Sequence, residues 1–146
     1  MAIEREATVS WEGDLFKGNG ILTSGSGALN DPGMTFARRA EDPEGHTTPE
    51  ELIAAAHAGC YAMSLANTLA QAGTAPQSLE VQAVVALDRT DEGLKIVSSK
   101  LTASGRAEGA TEESFAEAAR SAESTCPVSN ALRNNLEIEV ETALAG

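Results

Sequence analysis

The stretch Thr48-Pro49-Glu50-Glu51-Leu52-Ile53-Ala54-Ala55-Ala56-His57-Ala58-Gly59-Cys60 decides the fold. Thr48 supplies an N-cap hydroxyl, Pro49 has the fixed φ that suits a first helical position, and Glu51 completes the pattern of a capping box. Glu50 and Glu51 also suit the positive end of a helix dipole. The apolar run continues beyond Cys60 to Ala72, where Gly73 and Pro76 end it. This helix is apolar around most of its circumference and rich in alanine. Such a helix is buried on several sides, and alanine lets other backbones come close.

The flanking sequence reads mainly as strands. Upstream, Ala7, Val9 and Trp11 alternate with Thr8, Ser10 and Glu12, the period of a half-buried strand. Ile21 to Ser24 reads as a second strand, the segment from Gly25 to Gly33 as a loop, and Met34 to Arg39 as a third strand. Downstream, Leu79, Val81, Ala83, Val85 and Leu87 share one face. Thr90-Asp91-Glu92-Gly93 turns the chain, and Leu94 to Ala103 returns as a strand. A helix over Glu112 to Ser124 is broken at Cys126-Pro127, and Pro127 starts a short helix through Leu132. Leu136, Ile138 and Val140 alternate in a last strand.

The order β-β-β-α-β-β-α-α-β defines an α+β fold. The chain's 146 residues fit a single domain, residues 1–146, with no repeat, low-complexity tract or linker. One sheet is too little to cover the long apolar helix, so a homodimer that buries it between subunits is expected.

Composition narrows the function. Hydrophobic residues make up 42% and charged residues 22%, which argues against disorder. A formal net charge of −12 argues against nucleic acid or an anionic membrane as a partner. Leu52 to Leu69 is the most apolar segment, but His57, Asn67 and its small residues mark a buried helix rather than a membrane span. With no signal-peptide pattern, the expected location is the cytoplasm.

The two cysteines are too few for a disulfide scaffold in a reducing compartment. They are inert core residues, metal ligands or reactive thiols. A metal site would draw on Cys60, Cys126, His57 and His46, whose spacing is not compact. A reactive Cys60 has to be a thiolate, below the usual ~8.5 of a free thiol. Burial in mid-helix pushes the other way, so a cation has to sit beside it. Arg38 and Arg39 are the notable basic pair upstream; solvated positions at a strand end are the plainer reading for them. Cys126 precedes a helix-starting proline, where the dipole favours a thiolate and the chain can move toward a second sulfur. Ordinary packing explains that position as well. His57 is a packed helix residue or a base. Glu50 lies ten residues before Cys60, ~15 Å along a continuous helix. If both serve one site, they come from two subunits.

The helix motif, together with Cys126-Pro127-Val128-Ser129-Asn130-Ala131-Leu132, resembles the OsmC/Ohr family of hydroperoxide-reducing proteins, and its OsmC branch in particular. Trp11-Glu12-Gly13-Asp14 and the loop from Ser24 to Phe36 fit the same branch, so the likeness spans nearly the whole chain. Thr48 stands where asparagine is common in the family, and Tyr61 where phenylalanine is frequent. The resemblance implies an intertwined homodimer with active sites at the subunit interface. It implies that Cys60 is the peroxidatic cysteine and Cys126 the resolving one. The catalytic arginine matches Arg39 best, with Arg38 as the alternative because the segment to Glu50 is one residue longer than usual. Glu50 matches its partner glutamate, and no metal or flavin is implied.

The activity implied is a thiol peroxidase in oxidative or osmotic stress defence. It reduces organic hydroperoxides, and less efficiently hydrogen peroxide, through a Cys60 sulfenic acid and a Cys60–Cys126 disulfide that an external dithiol re-reduces. The contrasting reading is a non-catalytic dimer that binds an apolar ligand and has structural cysteines. A cysteine hydrolase with His57 as base is disfavoured, because no third group to orient the base is evident.

Overall fold

A computed structural model describes Met1–Ala145. The elements run β1 (Ala7–Glu12), β2 (Asn19–Ser24), β3 (Asn30–Met34), α1 (Phe36–Ala40), α2 (Pro49–Gln71), β4 (Pro76–Thr90), β5 (Gly93–Ala107), α3 (Glu112–Thr125), α4 (Pro127–Leu132) and β6 (Glu137–Leu144). The α+β class holds, and the order gains a helix. The expected third strand over Met34 to Arg39 is displaced upstream to Asn30–Met34, and Phe36–Ala40 is helical instead. Two local causes account for this. Thr35 caps the helix by accepting Arg38 N–H on Oγ1 at 3.1 Å, and Ala-Arg-Arg-Ala are good helix formers without β-branching. Pro32, which the sequence reading places in a loop, is tolerated in β3 because that strand is at the edge of its sheet.

Two compact units are resolved, Met1–Leu52 and the residues from Ile53 onward. The first holds an antiparallel sheet of order β1-β2-β3, in which Trp11 pairs with Gly20 and Val9 with Leu22. A side chain at Gly20 has no room, since its Cβ would lie 2.9 Å from the Trp11 ring.

The second unit holds a sheet of order β4-β5-β6. The β4–β5 hairpin closes through Asp91-Glu92, with Thr90 opposite Gly93, as the turn sequence predicts. β6 lies parallel to β5, with Leu101 opposite Val140. Alternate β5 residues Ser99, Leu101, Ala103 and Ala107 face inward and are buried. Against them pack Phe115, Ala118, Ala119 and Ala122 of α3, and Tyr61, Leu65 and Leu69 of α2.

α2 opens with the predicted cap, Glu51 N–H donating to Thr48 Oγ1 at 3.1 Å. The capping box itself is not completed in the expected way, because the Glu51 carboxylate accepts the Thr47 hydroxyl at 3.0 Å. The helix ends in a Schellman motif: Thr74 N–H reaches Leu69 O at 2.9 Å and Gly73 N–H reaches Ala70 O at 3.0 Å, with Gly73 at φ 81°. His57, Tyr61, Leu65 and Leu69 form its buried stripe, one residue per turn. On the other side, Ala55, Ala56, Gly59, Met63 and Asn67 are exposed. Among the described residues no helix is long and apolar enough to cross a membrane.

The buried stripe sets a stability prediction. Leu65 is fully buried, so Leu65→Ala should destabilise the fold by about 2–5 kcal/mol through lost transfer energy and a residual cavity. Denaturant unfolding followed by far-ultraviolet circular dichroism measures this. A loss below about 1 kcal/mol would show that the site collapses around the missing methyls.

Candidate active site

In the second unit, α2 and the α3–α4 junction bring the two cysteines together. Both thiols are free. Each acts on the other's ionisation, and Val128 N–H favours the thiolate form of both. Cys60 is half-buried on α2, whereas Cys126 is fully buried. Cys126 closes α3 through its N–H to Ala122 O at 2.9 Å, and its Sγ accepts Ser129 N–H at 3.4 Å to start α4. Pro127 at the first helical position explains the break, since it lacks the donor that a continuous helix needs there.

The two thiols are tuned in opposite directions. Burial pushes Cys60 above the usual thiol range, Val128 N–H pulls it back in part, and Cys126 adds to the rise. Burial also pushes Cys126 upward. There it is outweighed by hydrogen bonds from Ser129 N–H, the Ser129 hydroxyl, Cys60 and Val128 N–H, and the net shift is downward. The requirement for a cation beside Cys60, deduced from mid-helix burial, stands.

The first unit holds an arginine–carboxylate fork. Arg39 Nε donates to Glu50 Oε1 at 3.0 Å and to Oε2 at 3.3 Å, and Nη2 donates to Oε1 at 2.6 Å. Arg39 sits in the last turn of α1, and Glu50 in the first turn of α2, where its charge suits the helix dipole. Glu50 is buried, while about a third of the Arg39 side chain remains exposed. The two arginines of the basic pair have different partners. Arg38 turns to the exposed Glu44 at 2.7 Å and to the Asp42 carbonyl at 3.2 Å. Beside Arg39, Trp11, Leu15, Met34, Phe36 and Pro49 line an apolar cavity of about 100 Å³.

His57 does not touch either sulfur through its ring nitrogens. Nδ1 meets Ser99 Oγ at 2.6 Å and Nε2 meets Ser129 Oγ at 2.7 Å, and all three residues are fully buried. Burial lowers the His57 pKa against a smaller opposing pull from Glu123, so the ring is neutral at neutral pH. Sequence reasoning missed both serines. The available signals were a serine at an inward-facing position of β5 and a serine in the turn after Cys126-Pro127. Tyr61 donates its hydroxyl to Ala119 O at 2.8 Å, which satisfies the polar atom of a fully buried side chain. Among the described residues no group of three His, Cys, Asp or Glu side chains is placed to hold a metal ion.

The second unit thus holds two free cysteines on an α+β scaffold, one of them at a helix junction. Residues 41–141 match the OsmC-like protein family, and the chain belongs to that family. Peroxiredoxin OsmC of Escherichia coli (strain K12) is 36% identical over 141 residues, covering 97% of this chain and 98% of that protein. The organic hydroperoxide resistance protein OhrA of Bacillus subtilis (strain 168) is 30% identical over 115 residues, 77% of this chain and 79% of that protein. The crystal structure of OhrB of Bacillus subtilis superposes with a TM-score of 0.75 at 26% identity, covering 94% of this chain and 98% of that one.

Proposed function

We propose that this chain is a thiol-dependent peroxidase for organic hydroperoxides, a single OsmC-like domain that works as a homodimer in the cytoplasm. The names of its relatives, peroxiredoxin OsmC and organic hydroperoxide resistance protein, support the reaction class. The observation that carries the reading is the pair of free thiols, Cys60 and Cys126, set near enough in the second unit to act on each other's ionisation.

The Cys60 thiolate attacks the distal peroxide oxygen. The O–O bond breaks, Cys60 becomes a sulfenic acid, and the leaving alkoxide takes a proton to give the alcohol. Arg39, its fork fixed by Glu50, holds the thiolate and stabilises charge on the leaving oxygen. The apolar cavity beside Arg39 suits a hydrocarbon tail better than hydrogen peroxide, because burying that tail is favourable. Cys126 then displaces hydroxide from the sulfenic sulfur, forming the disulfide and water. An external dithiol reduces the disulfide by exchange.

The homodimer supplies the cation that Cys60 needs. Glu50 and Cys60 are ten residues apart on α2, ~15 Å of helix rise, which a glutamate side chain does not span. Arg39 and Glu50 of a second copy answer the need. The exposed face of α2 supports this: Met63 is 76% exposed, and a Cβ at Gly59 would meet nothing. A close-packed partner helix is what small residues on an exposed apolar face accommodate.

The test is mass spectrometry of the non-reduced protein after one equivalent of an alkyl hydroperoxide. Both thiols should disappear into a Cys60–Cys126 crosslink. Two intact thiols after exposure would favour the alternative, a binding dimer with structural cysteines.

A further inference from the structure

Pro127 leaves a second trace besides the helix break. In a continuous helix the carbonyl of Glu123 would accept the N–H of residue 127, and proline has none. That carbonyl is satisfied from the far end of α4 instead. Arg133, the C-cap of α4, turns back across the junction. Its Nη2 donates to Glu123 O at 2.9 Å and to Glu123 Oε1 at 2.6 Å. Its Nη1 donates to Asn130 Oδ1. One guanidinium thus joins the last turn of α3 to the end of α4, and the residues between them, Cys126 included, form a closed loop.

α4 needs such a hold. It has six residues, too few to persist on its own hydrogen bonds. It is anchored at two points. Near its start, Ser129 Oγ lies 2.7 Å from His57 Nε2, which ties it to α2 one turn before Cys60. At its end, the Arg133 fork ties it to α3. Cys60 in turn packs against the buried cluster that contains Cys126. We propose that Arg133 and Glu123 form a clamp that positions Cys126 for attack on the Cys60 sulfenic acid, with Arg133 a positioning residue that acts through the α3–α4 junction. The inference rests on the peroxidase reading for its place in the reaction. In that step the Cys126 electron pair forms the S–S bond while the S–O bond of the sulfenic acid breaks. The departing hydroxide takes up the proton that Cys126 has given up, and water leaves. The oxidising equivalent is the one the hydroperoxide left on Cys60.

The clamp works through effective concentration. A sulfur held in place reacts as though at high local concentration, and a loosened junction spreads it over positions that lead to no bond. The first step at Cys60 does not involve Cys126, so loosening should slow the second step alone. A sulfenic acid that waits longer meets more peroxide and goes on to the sulfinic acid. By linkage, the same clamp favours the disulfide at equilibrium whatever oxidant forms it.

The experiment uses the full-length chain and two readouts. In the first, the protein equilibrates with glutathione and its disulfide. The dithiol consumes one glutathione disulfide and releases two glutathiones as the Cys60–Cys126 bond forms. Arg133→Met keeps the stem and removes the guanidinium. It should lower the equilibrium constant about tenfold, a rise of about 30 mV in reduction potential. Glu123→Ala should act in the same direction, and add little in the Arg133→Met background, because the two losses break one contact. In the second readout an alkyl hydroperoxide is added. Sulfenic acid formation in Arg133→Met should keep the parent's rate, while disulfide closure slows and the sulfinic share of Cys60 rises. Lys100→Met removes a half-exposed ion pair with Glu141 on β6 and controls for a general loss of stability; both readouts should stay at the parent's values. An unchanged equilibrium and sulfinic share in Arg133→Met would overturn the proposal. So would equal changes in Lys100→Met, or losses at Arg133 and Glu123 that simply add. If Arg133→Met fails to fold, as judged by circular dichroism, Glu123→Ala carries the same comparison. Absence of sulfenic acid in the parent chain overturns the peroxidase reading, while the glutathione equilibrium, which needs no peroxide, still decides this one.

Discussion

Replacing Cys60 by serine should bring peroxide consumption down to the uncatalysed background, a loss of at least about 10³-fold in kcat/KM. Serine keeps the size of the side chain and its place on α2 but is far too weakly acidic to supply the attacking anion. Cys126→Ser should behave differently. One equivalent of hydroperoxide should still be consumed in a burst, because Cys60 can reach the sulfenic state alone. No disulfide follows, and repeated exposure drives Cys60 on to the sulfinic acid, visible as a gain of two oxygens in the mass spectrum. Coupled dithiol oxidation and intact-mass analysis of the two variants read these outcomes directly. Undiminished steady-state turnover by Cys60→Ser would remove the proposed mechanism. An unchanged steady state in Cys126→Ser would instead remove the resolving role and leave the attacking one in place.

The second large effect is expected at Arg39. Arg39→Ala should lower kcat/KM by about 10²–10³-fold, the usual result of removing one preorganised donor from a developing oxyanion. Arg39→Lys keeps the charge but not the fork, and Glu50 loses the two-pronged partner that fixes it, so most of the loss should persist. Arg38→Ala is the matched control. Its guanidinium pairs at the surface with the exposed Glu44, and activity should stay within about twofold. Initial rates with an alkyl hydroperoxide across the three variants provide the comparison. Equal losses at Arg38 and Arg39 would mean that local charge matters and the fork to Glu50 does not.

Much of this arrangement was legible in the residues because local chemistry determines it. Thr48-Pro49 and Gly73 bound α2 through capping geometry, and Thr90 to Gly93 closes the hairpin through turn geometry. Cys126-Pro127 breaks the chain between two helices for want of a backbone donor. The segment at Phe36 misled because a short run with apolar ends looks alike as strand or helix, and the Thr35 cap decided it. Glu51 had two possible partners within reach, and Thr47 won over the backbone. The direction of β6 and the serines around His57 were beyond local reading. Residues distant in the chain create both, and no periodicity reports which inward-facing serine meets which ring nitrogen. Which of the two arginines meets Glu50 was likewise beyond local reading: Arg39 does, and Arg38 pairs with Glu44.

The parallel pairing of β5 with β6 also bears on how the molecule comes into being. The β4–β5 hairpin joins neighbours in sequence and closes at little entropic cost. β6 meets β5 only after α3 and α4 have been laid across the interval, a pairing of high contact order and so a late one. Cys126 belongs to that interval. A chain still emerging from the ribosome, with its β4–β5 hairpin formed, holds Cys60 without a neighbouring sulfur. The segment that carries Cys126 is thus the one enclosed when the sheet is completed, and it is later in the order of assembly than the hairpin.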